Sequence, residues 1–215
     1  MRRLVVHAAL LLGSLLALGA CSSNTVLVSV PPRMPLQNYG TLGLVEFDSS
    51  ARPDIGAQTT REFESHLHAA QPGTRIVELG GRDSLLASVG GRQLDPLTLR
   101  KIGEKYGVDA IFVGSLTYSE PKTDIKLTDL SRLEGGVRVD VRGDISSRLV
   151  ETRTGASVWS SSAWARRSLG KVNVSADQGV SGGVRNGDPR EEMVPTLVYN
   201  LTEDFRPSTV RQAVK

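Results

Sequence analysis

The sequence holds a single cysteine, Cys21, among 215 residues, so no disulfide can close within the chain. Histidine is almost as scarce, and beyond the amino-terminal leader only His66 and His68 occur. Spaced i, i+2 on a helix, they point to different faces, which argues against a shared metal; no metal or other cofactor is expected. There is no P-loop, no Gly-x-Gly-x-x-Gly after a strand, no His-Glu-x-x-His and no nucleophile elbow, so the motifs that would announce an enzyme are missing and none is expected. Nor does either sign of charge dominate. Lys and Arg number 26 against 23 Asp and Glu, and without Arg2 and Arg3 of the leader the balance is 24 to 23. Nucleic acid binding, which rests on clustered basic residues, is not expected. What is present, 39% hydrophobic and 23% charged residues, is the composition of an ordinary folded domain rather than of a disordered, collagenous or coiled-coil chain.

The longest apolar run, Leu4 to Leu18, is broken by His7, Gly13 and Ser14 and is short for a membrane span. Preceded by Arg2 and Arg3 and followed by Gly19, Ala20 and Cys21, it has the layout of a secretory signal. Leu18-Gly19-Ala20-Cys21 resembles the lipobox of bacterial lipoproteins. That likeness implies cleavage before Cys21, acylation of its thiol and anchoring by lipid alone, each buried CH₂ contributing roughly 0.8 kcal/mol. Ser22, not Asp, follows the cysteine; in Gram-negative lipoproteins this implies the outer membrane, with the protein facing the periplasm. The expected organisation is a signal peptide over 1–20, a lipidated cysteine and flexible tether over 21–38, one α/β domain over 39–207 and a tail over 208–215. Pro31, Pro32 and Pro35 favour a tether, whereas Thr25 to Val30 also reads as a short edge strand, and both readings stand.

From Asn38 onward strands and helices alternate. TLGLVEFD (41–48) reads as a first strand, and Ile55, Thr59, Phe63, Leu67 and Ala70 then recur at helical spacing behind Asp54 as a cap. A second strand is expected over 75–79 and a short helix over 83–89. Asp95-Pro96 opens another helix, with Leu97, Ile102 and Tyr106 inward and Gly107 as its stop. DAIFVGSLTY (109–118) reads as a central strand. Between Val137 and Leu149 the odd positions are mostly apolar and the even ones are mostly charged, the pattern of a long strand with one buried and one wet face. A Thr-Gly turn at 152–155 sends the chain back over 156–168, Gly179 to Gly187 reads as a loop, and Asp188-Pro189 opens a last helix. Pro195 inside it either kinks the helix or marks its first turn. The fold class is therefore α/β: a mixed β-sheet packed with helices, with a βαβ-type first half, a long antiparallel hairpin and a closing carboxy-terminal helix.

Asp140 and Asp144 alternate with Arg138, Arg142 and Arg148. This is the pattern of a solvated strand face with cross-strand ion pairs rather than of a catalytic carboxylate pair. Trp159 and Trp164 are five residues apart, so one faces the core and the other is free to serve as an exposed anchor. With Arg185, in the glycine-rich loop, they are the candidate partner-binding residues; no catalytic residue is assigned.

The order of TLGLVEFD, RIVELGGRDSLL, LTLRKIGEKYGVDAIFVGSLTYSE and DISSRLVETRTGASVWSSSA resembles the fold shared by curli secretion lipoproteins (CsgG-like), lipoprotein activators of penicillin-binding proteins (LpoB-like) and the TolB amino-terminal domain. The likeness spans about Gly40 to Phe205. It implies a non-catalytic binding or assembly factor of the cell envelope, held to the membrane through Cys21 and engaging an envelope protein, in cell-wall synthesis or a secretion complex. The alternative is a ring-forming, homo-oligomeric subunit of a curli-type assembly. Curli secretion proteins insert two long hairpins that line a transmembrane barrel. The corresponding segments here, Glu120 to Glu134 with its many charges and the short Ser168 to Arg190, depart from that pattern, so no barrel is expected.

Overall fold

The computed structural model describes residues 25–129, 134–175, 179–184 and 187–213. The leader, Cys21 and Arg185 lie outside the described residues. Two units are distinguished, one built from the two chain ends and one spanning Pro32–Arg206.

In the first unit, β1 (Thr25–Val30) and β10 (Ser208–Ala213) pair antiparallel, Val28 opposite Val210. The stretch that reads as tether or strand is thus a strand over those six residues, and the segment expected as a tail supplies its partner. Alternating β-branched residues explain the choice, because TVLVSV lacks proline until Pro31.

Among the described residues the larger unit is a sheet of eight strands, β2 (Thr41–Val45), β3 (Asp48–Ser49), β4 (Arg75–Gly80), β5 (Ala110–Tyr118), β6 (Lys122–Asp129), β7 (Glu134–Glu151), β8 (Ser157–Ser175) and β9 (Gly179–Val184), in the order β4-β2-β5-β7-β8-β9, with β3 beside β5 and β6 beside β7. Its first half, β2, β3, β4 and β5, is parallel. Parallel neighbours need crossovers, and these supply α1 (Pro53–Ala70), α2 (Arg82–Ser88) and α3 (Pro96–Tyr106). The second half is antiparallel: β5 pairs with β7 (Glu134–Glu151), and β7 with β8 (Ser157–Ser175) over most of its length. Among the described residues, hairpins connect this half, and its one helix is α4 (Pro189–Leu201).

One face of the sheet carries the main core. Ile55, Phe63 and Leu67 of α1 and Val194, Leu197, Val198 and Leu201 of α4 close over Leu42, Leu44, Phe112, Leu116, Val141, Ile145 and Leu149. Phe112 meets Phe63 edge-on at 5.2 Å and Trp159 at 5.8 Å; Trp159 in turn packs on Phe205 at 4.6 Å and donates its indole N–H to Asp204 at 3.1 Å. Gly114 belongs here because a Cβ at that position would run into the Phe47 ring. Gln71, at the end of α1, is buried and fully engaged. Its carbonyl accepts from the Leu36 amide at 2.8 Å, and its NH₂ donates to the carbonyls of Met34 at 2.7 Å and Phe205 at 3.1 Å. It thereby joins both ends of the larger unit. On the opposite face α2 and α3 cover a smaller cluster, Val45, Leu79, Leu85, Leu99, Ile102, Ile111, Val113 and Val150.

Several expectations are corrected. The N-cap of α1 is Arg52, with Pro53 at the first helical position and Asp54 inside the first turn, where it ion-pairs back to Arg52. In α3 Asp95 does cap, accepting from the Thr98 amide at 2.8 Å, but Leu97 is 64% exposed and Leu99 faces the core instead, because Leu99 lies three residues before Ile102 on the same face whereas Leu97, five before it, falls on the other side. Pro195 sits well inside α4, so the helix begins at Pro189. The loop expected over 179–187 contains β9 (Gly179–Val184), paired with the far end of β8, and the polar segment from Glu120 forms β6 (Lys122–Asp129), paired with β7. Both antiparallel arms are thus longer than their composition suggested.

Candidate functional site

The site follows from where the helices stop. Crossover helices cover the second face over β4, β2, the start of β5 and the end of β7 at Val150, and the β7–β8 hairpin brings no helix of its own to that side. Strand alternation then exposes a continuous polar surface. On β8, Ser160, Ser162, Trp164 and Arg166 are exposed while Trp159 is buried and Ala163 and Ala165 pack toward the core. On β7 the same face carries Arg148, Ser146, Asp144 and Arg142, and on β5 Ser115 and Thr117.

Register sets Ser115, Ser146 and Ser162 side by side across three strands, with Arg148 opposite Ser160 one rung away. The hydroxyls of Ser115 and Ser146 lie 3.1 Å apart. Asp48 and Arg82, paired at 3.1 Å, also line this groove, which encloses about 590 Å³. A hollow beside it, also reached by Arg82 and Arg148, adds Arg92, Asp83 and Asp95. The Asp95 carboxyl is held below its usual range by the Thr98 amide it caps.

At the other end of the surface Trp164 is 57% exposed. The Arg142 guanidinium stands 4.9 Å from its ring centroid and donates to Asp144 at 2.9 Å, which raises the already high Arg142 pKa. Asp144 is the cross-strand neighbour of Trp164. Arg138 bonds Asp140 at 2.7 Å in the same way. Among the described residues the ion pairs of Arg138 and Arg142 run along β7, two residues apart, rather than across strands as expected; on β8 Trp164 lies opposite Asp144 and Arg166 opposite Arg142.

The candidate residues are thus separated. Trp159 is 8% exposed and belongs to the core, Trp164 stands on the open face, and Arg185 lies outside the described residues. His66 and His68 each face a glutamate one turn back, Glu62 at 3.4 Å and Glu64 at 3.6 Å. Among the described residues no three His, Cys, Asp or Glu side chains come together as metal ligands, and no helix is long and apolar enough to cross a membrane. The serine rung was missed from sequence. Its only signal was the occurrence of serines at alternate positions where neighbouring strands carry apolar ones.

No protein-family model matches the chain, and no curated protein matches its sequence. Similar solved structures include the PelC dodecamer from Paraburkholderia phytofirmans, 12% identical, covering 85% of this chain and 97% of that one, with a TM-score of 0.40. Lipoprotein GNA1162 from Neisseria meningitidis is 16% identical over 74% of this chain and 95% of its own, with a TM-score of 0.36. The LpoB carboxy-terminal domain from Salmonella enterica is 12% identical over 63% and 95%, with a TM-score of 0.35.

Proposed function

We propose that the protein is an outer-membrane lipoprotein, anchored through Cys21 and facing the periplasm, that acts as a non-catalytic binding or assembly factor for an envelope protein, in cell-wall synthesis or a secretion complex. The observation that carries the reading is the uncovered half of the sheet. A large aromatic, Trp164, is held on a rigid strand against Arg142 and left 57% exposed, the arrangement that gives protein interfaces their anchors. The lipobox resemblance at 18–21 supports the anchor.

The test joins chemistry and capture. Mass determination of the mature protein reports the acyl chains on Cys21, and Cys21→Ala releases it from the membrane. Affinity purification from envelopes with the intact lipoprotein and with Trp164→Ala tests the anchor. A partner retained by the former and lost by the latter supports the reading, while equal retention removes Trp164 from it.

One observation favours the ring-forming alternative. Among the described residues, β8 from Val158 to Leu169 has a neighbour strand on one side only, and an open edge can pair with another copy. Native mass measurement of the lipoprotein in mild detergent decides: a discrete closed oligomer supports the ring, and a monomer supports the adaptor.

A further inference from the structure

We infer that the serine groove is a binding site for a carboxylate-bearing sugar, with Arg148 holding the carboxylate and the hydroxyls of Ser115, Ser146, Ser160 and Ser162 receiving the sugar's own hydroxyls. Charge is the first ground. Arg82 is neutralised by Asp48 at 3.1 Å, whereas among the described residues the Arg148 guanidinium has no carboxylate and no hydrogen-bond partner. Among the described residues it is the one charge lining the groove that has no ion pair. A single guanidinium fork matches a singly charged carboxylate in both geometry and charge; a phosphate dianion would call for more positive charge than the groove offers. The adjoining hollow, which Arg148 also lines, carries Arg92, Asp83 and Asp95, none of them paired with Arg148 among the described residues.

The floor is the second ground. Three serines from three strands stand at one level, the hydroxyls of Ser115 and Ser146 bonded to each other at 3.1 Å, and a fourth serine lies on the next rung beside Arg148. Hydroxyls both donate and accept, as the hydroxyls of a sugar do. An acidic peptide fits less well. Over Ser115 and Ser146 the strands are paired on both sides, so a peptide cannot add a strand there and could do so only at the open edge of β8, away from the serine rung. The site needs no contribution from Trp164, so it stands or falls separately from the reading above.

Calorimetric or NMR titration of the full-length lipoprotein in neutral detergent tests the assignment, with glucuronate, glucose, inorganic phosphate and an Asp/Glu-rich peptide as probes. Glucuronate is expected to bind saturably and at least tenfold more tightly than any of the other three. Arg148→Gln should weaken it at least tenfold, Arg148→Lys should fall between, and Ser146→Ala with Ser162→Ala should weaken it without affecting Trp164-dependent capture. Arg148 is exposed, so these variants keep the fold, checked by thermal melting. Unchanged glucuronate affinity in Arg148→Gln overturns the assignment. So does glucose, phosphate or peptide binding as tightly as glucuronate.

Discussion

The two faces of the β7–β8 hairpin are made by the same strands, yet one is sealed and the other is open. Toward α1 and α4, alternate positions are Val141, Ile145, Leu149 and Trp159, each at most 8% exposed. Toward solvent they are Arg142, Asp144, Ser146, Arg148, Ser160, Ser162 and Trp164. Fully burying one large apolar side chain contributes about 1.5–3 kcal/mol, so the sealed face holds the unit together. The open face contributes little to stability and is free to be shaped by recognition. The alternation alone separates the two duties.

Substitutions can break or sharpen that contrast. The largest loss is expected for Phe205→Ala, which empties the centre of the Phe63, Phe112 and Trp159 cluster; about 3–5 kcal/mol should disappear in chemical denaturation. Gly114→Ala comes next. It forces a methyl into Phe47 and should cost about 1–3 kcal/mol, whereas Ser115→Ala, the adjoining residue on the open face, should stay within about 0.5 kcal/mol. A similar loss, about 1–3 kcal/mol, is expected for Gln71→Ala, which strands the Leu36 amide and the Met34 and Phe205 carbonyls in a buried setting.

The smallest effect concerns pH. Burial and the neighbouring Glu78 raise the Glu64 carboxyl above its ordinary range, with His68 opposing. The folded state then holds its proton more tightly than the unfolded chain, so this group's contribution to stability is present at low pH and is lost as pH rises through the raised pKa. Glu64→Gln should flatten that decline in melting temperature as pH rises above the ordinary glutamate range, with a slight gain at pH 7. A variant whose melting temperature falls with the same slope as the parent would contradict the assignment.

Much of the architecture was legible because periodicity carries it. The five-residue spacing of Trp159 and Trp164 placed them on opposite faces, and the structure leaves them 8% and 57% exposed. Phase within a helix was less well read: Leu97 lies five residues before Ile102 and so turns outward, whereas Leu99, three before it, shares its buried face. Glycine-rich and charged stretches concealed β9 and β6, since a strand's partner, not its own propensity, decided them. The candidate groove was least legible of all. Ser115, Ser146 and Ser162 are each ordinary, and only the register of three strands makes them one surface. Gln71 was invisible for the same reason, its partners lying 35, 37 and 134 residues away.

The most direct test of the open face as the recognition surface is site-specific photocrosslinking in intact envelopes, with the reactive residue at Ser162 on the open face or at Tyr199 on the outer side of α4. A single adduct from position 162, absent from position 199 and lost when Trp164→Ala is added, is the predicted result. Adducts at position 199 with none at 162 would contradict the account and move recognition to the helical side.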